Sequence, residues 1–515
     1  MKQRLAFVGQ ATLLLGLAAL AATLYCWNYE SVFFRGAVFF VDGDCYARMT
    51  RVAMVMAHPL TPIRTHAFEN FPFGTIPHTT APLDYLIAAL ALLLRPWSSD
   101  SLSLAGAIVS PLLGLATFGV LAFWSRHLVY RWAVLLVFSV SPILAHGFAL
   151  GRPDHQSLLL FLVALGLASE TRLDGHRAWP YASAIAWGTA LWVSLFEPLL
   201  LLGLVLAVRL VWTKEDQGSR WRAWLGNGRA FALFVGILAL ALIWDGWRAA
   251  PFDSHFSAWA RNIGELRHAD AETIFHWVGW LIIPTPILLG WAWWKKPQHV
   301  VALFMVLILM LGSLTFYHMR WGYFLALAFA LSLPLILPLL RWKVLAYCLL
   351  VLSLWPVAAE WERTIYPNEP TFLARAESLE DSITLRDAAL ALRDRPRGGV
   401  IAPWWFCPAI VWWSAQPCLG GSSHQSLPGI VDSSEFFLAP DFSAAAPLLV
   451  RRKVTYVVTY EPSRVAENAA LVLSRTALDM PLVKRLHNAP SQSFPLQLIH
   501  ANRSFKVFAL PGPTP

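Results

Sequence analysis

Four short stretches place chemistry-bearing side chains beside long apolar runs. They are Val41-Asp42-Gly43-Asp44 with Arg48 and Arg51 following, Gly151-Arg152-Pro153-Asp154-His155-Gln156, Asn262-Ile263-Gly264-Glu265, and His318-Met319-Arg320. Carboxylates that converge with a histidine or an amide oxygen make an oxygen-rich site for a hard divalent cation such as Mg²⁺ or Mn²⁺. An arginine beside them suits phosphate oxygens, because its guanidinium offers a planar fork of donors. Cation and arginine together stabilise the negative charge that develops on a phosphate leaving group. Each stretch also has an ordinary reading. Asp42 and Asp44 suit a solvated turn, and Asp154 suits a helix N-cap. Glu265, among Arg261, Arg267 and His268, suits a surface ion pair, and Arg320 can snorkel to headgroups.

The elements that must position these residues are apolar. The chain has 515 residues, of which 57% are hydrophobic and 14% charged, and its mean hydropathy is +0.53. Such a chain needs lipid around its helices. Tryptophan, with 26 residues, suits membrane interfaces. Apolar runs fall at about 5–26, 103–124, 130–148, 156–171, 179–194, 197–213, 230–248, 274–294, 299–317, 321–340 and 343–358, which predicts about eleven transmembrane helices. The run that follows Met1-Lys2-Gln3-Arg4 continues to Trp27 without a clear cleavage site and reads as a retained first helix.

Every second loop is basic. If Lys2 and Arg4 are cytoplasmic, then so are Arg126 and Arg131, Arg172 and Arg177, Lys214, Arg220, Arg222 and Arg229, Lys295 and Lys296, and Arg341 and Lys343. This alternation follows the positive-inside rule and accounts for the net charge of +9 without a nucleic-acid partner. The other loops then lie outside: 27–102, 149–155, the turn at Glu197-Pro198, 249–273, the turn at His318, and the tail. The apolar segment 82–96 reads as interfacial or re-entrant within the first of these. All four chemistry-bearing stretches fall on that one side, and charged groups at helix mouths are functional suspects.

The chain therefore divides into a membrane domain, 1–359, with a long first outer loop, 27–102, and an extracytoplasmic domain, 360–515. The tail carries an amphipathic stretch at 376–393 and β-rich runs such as Val454-Thr455-Tyr456-Val457-Val458, and so reads as a soluble α/β domain. Five scattered cysteines make no disulfide scaffold. Cys407 and Cys418 can pair if their segment faces an oxidising compartment.

These residues resemble the catalytic subunit of oligosaccharyltransferase, of the archaeal AglB and bacterial PglB types, within the GT-C superfamily of lipid-donor glycosyltransferases. Asp42-Gly43-Asp44-Cys45-Tyr46-Ala47-Arg48 resembles the family's first-loop D-P-x-x-H/N-x-R. Asn70-Phe71-Pro72-Phe73-Gly74-Thr75 and Pro82-Leu83-Asp84-Tyr85-Leu86-Ile87 resemble the Y-P-x-G-T and P-x-x-D-x-L-I that follow. Gly151 to Gln156 matches G-x-x-D-x-D/E/H, Asn262 to Glu265 matches S/T-I/V-x-E, and Arg320-Trp321 matches R-F/W. The resemblance implies a GT-C fold. It also implies a divalent metal (Mg or Mn) held by Asp42, Asp154, Gln156 and Glu265, with Asp42 and Glu265 catalytic and Glu265 engaging the acceptor. Arg320 would bind the donor phosphate, and Trp404 and Trp405 stand where W-W-D-Y-G binds an acceptor peptide. Asp44, Arg48, His78, His155 and His318 are further candidates. The sequence departs from the family at Gln156, at Asn262 in place of Ser or Thr, and at Phe406-Cys407-Pro408 in place of D-Y-G. Phenylalanine accepts no hydrogen bond, so Phe406 cannot read a sequon hydroxyl.

The expectation is a plasma-membrane, multi-pass glycosyltransferase. It would move a glycan from a polyprenyl phosphate or diphosphate donor to a protein or glycan acceptor at the extracytoplasmic face. Alternatives are a GT-C transferase acting on a lipid-linked glycan or polysaccharide, and a non-catalytic transporter or scaffold.

Overall fold

The computed structural model describes residues 2–76, 81–173, 177–212, 227–246, 253–492 and 495–511, and of residues 2–7 and 492 the backbone alone. Candidate His78 and the basic residues Lys214, Arg220 and Arg222 lie outside them, as do the side chains of Lys2 and Arg4. The chain forms two compact units. The first comprises residues 1–33, 104–244 and 265–368, and the second 34–103, 245–264 and 369–515.

Among the described residues, each of the eleven apolar runs forms helix. Six helices among the described residues are long and apolar enough to cross a bilayer: Val8–Tyr25, Ser101–Ser125, Gly228–Asp245, His299–Tyr317, Met319–Leu339 and Lys343–Ile365. The other runs make shorter or broken helices. The 130–148 run breaks between Arg131–Val140 and Pro142–Gly147, because Pro142 disfavours the helical conformation at Ser141. The 274–294 run breaks between Ala271–Val278 and Thr285–Lys295, with Gly279 at φ 84° and Pro284 between them. Surfaces of these helices remain apolar and exposed, as on Gly228–Asp245, where Leu242 is 56% and Ile243 68% exposed. Such faces belong against lipid.

In the first unit, helices His155–Glu170 and Trp179–Val193 pack closely because Gly166 lets Trp187 approach; a Cβ there would stand 2.9 Å from the indole. The turn before Asp154 is sewn to two helices. The Gly151 amide donates to Ala107 O (2.8 Å), the Leu150 amide to Tyr25 O (2.9 Å), and Asn28 Nδ2 to Leu150 O (2.9 Å). Gly151 sits at φ 72°, a conformation that favours glycine.

The second unit contains a four-stranded sheet in the order Gly399–Ile401, Val454–Thr459, Lys506–Ala509, Gln497–Ala501. The first pair is parallel and the others antiparallel. The amphipathic stretch lies in helix Glu369–Leu390. Helix Ala81–Leu94 has 14 residues, about 21 Å of rise, which is short of a ~30 Å hydrocarbon core. Its Asp84 is fully buried and accepts from Arg48 Nη1 (2.6 Å) and Arg51 Nε (2.7 Å). That clamp joins it to helix Gly43–Ala57.

Candidate active site

Within the first unit, Asp154, Glu265 and Arg320 gather with three residues that sequence reading did not single out for chemistry: His146, Arg152 and Glu197. Asp154 begins helix His155–Glu170, and its Oδ1 accepts from the His155 amide (2.6 Å). His155 Nδ1 lies 2.6 Å from the same oxygen. The helix N-terminus favours this negative charge, so the ordinary N-cap role of Asp154 is present. Glu265 lies in a 3₁₀ turn, Gly264–Leu266. That turn is fixed by His318 Nδ1 on Leu266 O (2.7 Å) and by the Met319 amide on Arg267 O (2.9 Å). Candidate His318, two residues before Arg320, thus acts on the Glu265 turn. Arg320 is ion-paired to Glu197, whose side chain is fully buried and also accepts from Ser194 Oγ (2.5 Å).

Arg152 is 4% exposed. Its Nη2 lies 2.8 Å from Glu265 Oε1 and 3.7 Å from Asp154 Oδ2. Its Nη1 donates to the His146 ring, 2.8 Å from Nδ1 and 2.6 Å from Nε2, and Tyr323 Oη is 2.7 Å from Nδ1. Burial pushes the Glu265 carboxyl up from its ordinary value, Arg152 opposes that shift, and Asp154 adds to it. The one signal that could have marked Arg152 is its place two residues before a candidate ligand, inside an apolar context.

The expected divalent metal must be tested against these neighbours. Among the described residues, no three His, Cys, Asp or Glu side chains group so as to hold an ion. Between Asp154 and Glu265 stands a guanidinium. A divalent ion about 4 Å from it would be opposed by roughly 8 kcal/mol at an effective dielectric near 20, which cancels the attraction of one of the two carboxylates at the same distance. Gln156 is fully buried, and both its amide nitrogen and oxygen lack a partner among the described residues. A metal would satisfy the oxygen alone, whereas a hydroxyl can satisfy both. The first unit's residues therefore do not fit a divalent ion as they stand.

The second unit holds the remaining candidates. Asp42 N-caps helix Gly43–Ala57, accepting from the Cys45 amide (3.0 Å), and Asp44 is exposed in the first turn. Arg48 is committed to Asp84. Trp404 Nε1 donates to Asn468 Oδ1 (2.8 Å), and Asn468 Nδ2 to Asn262 Oδ1 (3.0 Å). Trp405 Nε1 is buried without a partner among the described residues. Phe406 packs edge-on to Tyr460 (5.0 Å) and Phe505 (5.1 Å). Cys407 and Cys418 are buried free thiols; burial, with Cys407 beside it, pushes the Cys418 thiol up. A separate cavity of about 420 Å³ is lined by Phe73, Asp253, His255, Asp432 and Arg451 among others, none of them a sequence-predicted site residue.

Sequence comparison finds no matching family model and no matching curated protein. Solved structures do match. The oligosaccharyltransferase of Archaeoglobus fulgidus, tethered with an acceptor peptide containing the NVT sequon, superposes with a TM-score of 0.68 at 14% identity. That match covers 90% of this chain and 71% of the other. The chain has the GT-C fold. The same Archaeoglobus protein in complex with Zn and sulfate gives 0.67 at 14%, covering 92% and 70%. ArnT from Cupriavidus metallidurans, bound to undecaprenyl phosphate, gives 0.51 at 14%, covering 98% and 99%. This is the polytopic membrane fold with a C-terminal α/β domain that the sequence predicts.

Proposed function

We propose that this GT-C chain is a membrane glycosyltransferase, moving a glycan from a polyprenyl phosphate or diphosphate to an acceptor at the extracytoplasmic face. The observation that carries this reading is the gathering of Arg320, Asp154 and Glu265 in a unit of that fold, with buried Glu197 holding Arg320. The undecaprenyl phosphate bound to ArnT supports a lipid-phosphate donor here.

In this reading Arg320 binds the donor phosphate through its forked donors. The acceptor nucleophile attacks the anomeric carbon, the bond from that carbon to the phosphate oxygen breaks, and the phosphate leaves with the electron pair. Glu265 orients the acceptor and takes its proton. Asp154 carries negative charge next to the cationic oxocarbenium character that develops on the sugar. Asp42, Trp404 and Trp405 keep the catalytic and acceptor-binding roles implied by the sequence resemblance. Phe406, packed between Tyr460 and Phe505, favours an acceptor other than a Ser/Thr sequon, such as a lipid-linked glycan. A transporter reading calls for acidic groups at the bilayer midplane, whereas Asp154 caps a helix and Glu265 lies in a turn.

Native mass spectrometry of the purified protein with undecaprenyl phosphate tests the donor. The native chain should retain one lipid phosphate and Arg320→Ala should lose it. Equal retention by both would overturn the assignment of Arg320.

A further inference from the structure

Arg152 is held as firmly as any ligand. Its guanidinium is anchored from behind by His146, itself held by Tyr323 Oη at 2.7 Å. Its carbonyl accepts from Ser110 Oγ, which also reaches Ser157 Oγ at 3.0 Å on the helix that Asp154 caps. Both ring nitrogens of His146 lie within reach of Arg152 Nη1, and the one that takes the bond accepts, because arginine only donates. An imidazole with an accepting nitrogen is neutral and adds no charge of its own. In front, Nη2 lies between Glu265 Oε1 and Asp154 Oδ2, at 2.8 and 3.7 Å. A side chain 4% exposed with neighbours on both sides has little room to swing away.

We propose that the Arg152 guanidinium supplies, between Asp154 and Glu265, the positive charge that a divalent ion would otherwise supply there. Arg152 is a positioning residue: it fixes the direction of the Glu265 carboxylate and offsets one of the pair's two negative charges, so this pair is held without a bound ion. The assignment rests on the transferase reading for its consequence in catalysis, but not for its chemistry. Beside one guanidinium the two carboxylates keep a net charge of −1 in place of −2, and a divalent ion entering between them would meet the arginine first. Removing the guanidinium leaves two acids facing each other, carboxylate oxygens of the kind hard divalent cations take.

The experiment is an Mn²⁺ titration followed by electron paramagnetic resonance, on the purified full-length chain stripped of metal with a chelator. The native chain should bind no stoichiometric Mn²⁺. Arg152→Ala should bind one Mn²⁺ per chain, and Asp154→Asn placed in the same variant should abolish it. If Arg152→Ala does not fold by thermal melting, Arg152→Met keeps the volume and takes its place. One Mn²⁺ per native chain, lost with Asp154→Asn, would overturn the proposal. Binding by neither chain would overturn it too, because the acids would then not be an ion site held closed by Arg152. The titration reads no sugar transfer, so a chain that proved inactive as a transferase would still give a decisive answer here.

Discussion

Glu197, with a fully buried side chain, is ion-paired to Arg320, 123 residues further along the chain. A buried carboxylate is tolerated only with its partner in place, and removing one partner of such a pair costs about 3–5 kcal/mol. Arg320→Ala should therefore lower the melting temperature of the protein. Glu197→Gln combined with Arg320→Gln should restore most of it, since no uncompensated charge remains. Equal melting of the single and double variants would show that the pair is not a buried unit. In donor use, Arg320→Lys should lose about ten- to a hundredfold, the equivalent of roughly 1.5–3 kcal/mol for a charged hydrogen bond, because an ammonium cannot reproduce the fork.

Asp84 and Asp42 should separate stability from activity. Asp84 compensates two buried arginines, Arg48 and Arg51, so Asp84→Asn should cost about 3–5 kcal/mol and show first as a lower melting temperature. Asp42→Ala removes one helix cap, worth about 1 kcal/mol, and should leave the protein folded while abolishing transfer. Asp44→Ala, exposed in the first turn, should be mild on both counts. The check is a melting curve and a transfer rate for each variant.

How much of this was legible follows from where each interaction is encoded. The eleven apolar runs are local patterns, and each forms helix over its described residues. The breaks at Ser141-Pro142 and Gly279 lie inside runs whose hydropathy continues unbroken, so hydropathy alone passed over them. Asp154, Glu265 and Arg320 stood out because charge beside an apolar run is rare. Glu197 read only as part of a Glu-Pro turn and Asp84 only as a motif letter. Their partners lie 123 and 36 residues away, and no spacing rule announces a pair at such separations. Arg152 was passed over between glycine and proline because its role depends on Glu265, 113 residues on.

Phe406 offers a test of acceptor choice. With no acceptor oxygen at this position, the native chain should discriminate poorly between N-x-T and N-x-A peptides, if it uses peptides. Phe406→Asp would set a carboxylate against Tyr460 and Phe505, lowering stability while offering a hydrogen-bond acceptor to a threonine hydroxyl. A strong N-x-T preference in the native chain would contradict the reading of Phe406 and restore sequon recognition.

His66 should make the second unit acid-sensitive. Its Nε2 faces Arg51 Nη1 at 3.2 Å and its ring stacks on Phe68. Burial holds its pKa below the ordinary histidine value, with Glu69 pulling the other way. The unfolded chain therefore takes up a proton at a higher pH than the folded one. The stabilisation is fully present above the unfolded value near 6.5 and is lost as pH falls through the depressed folded value. Melting temperature should fall between pH 7.5 and 5.5, and His66→Gln should flatten that dependence. An unchanged slope in the variant would assign the acid sensitivity elsewhere.

The central claim is transfer itself. The purified full-length chain, given an undecaprenyl-phosphate-linked radiolabelled sugar and either peptide or lipid-linked glycan acceptors, should move label from lipid to acceptor and free the lipid phosphate. Glu265→Gln, folded by its melting curve, should leave the label on the lipid. No release of label from the lipid by the folded native chain with any of these acceptors, or equal release by Glu265→Gln, would contradict the account.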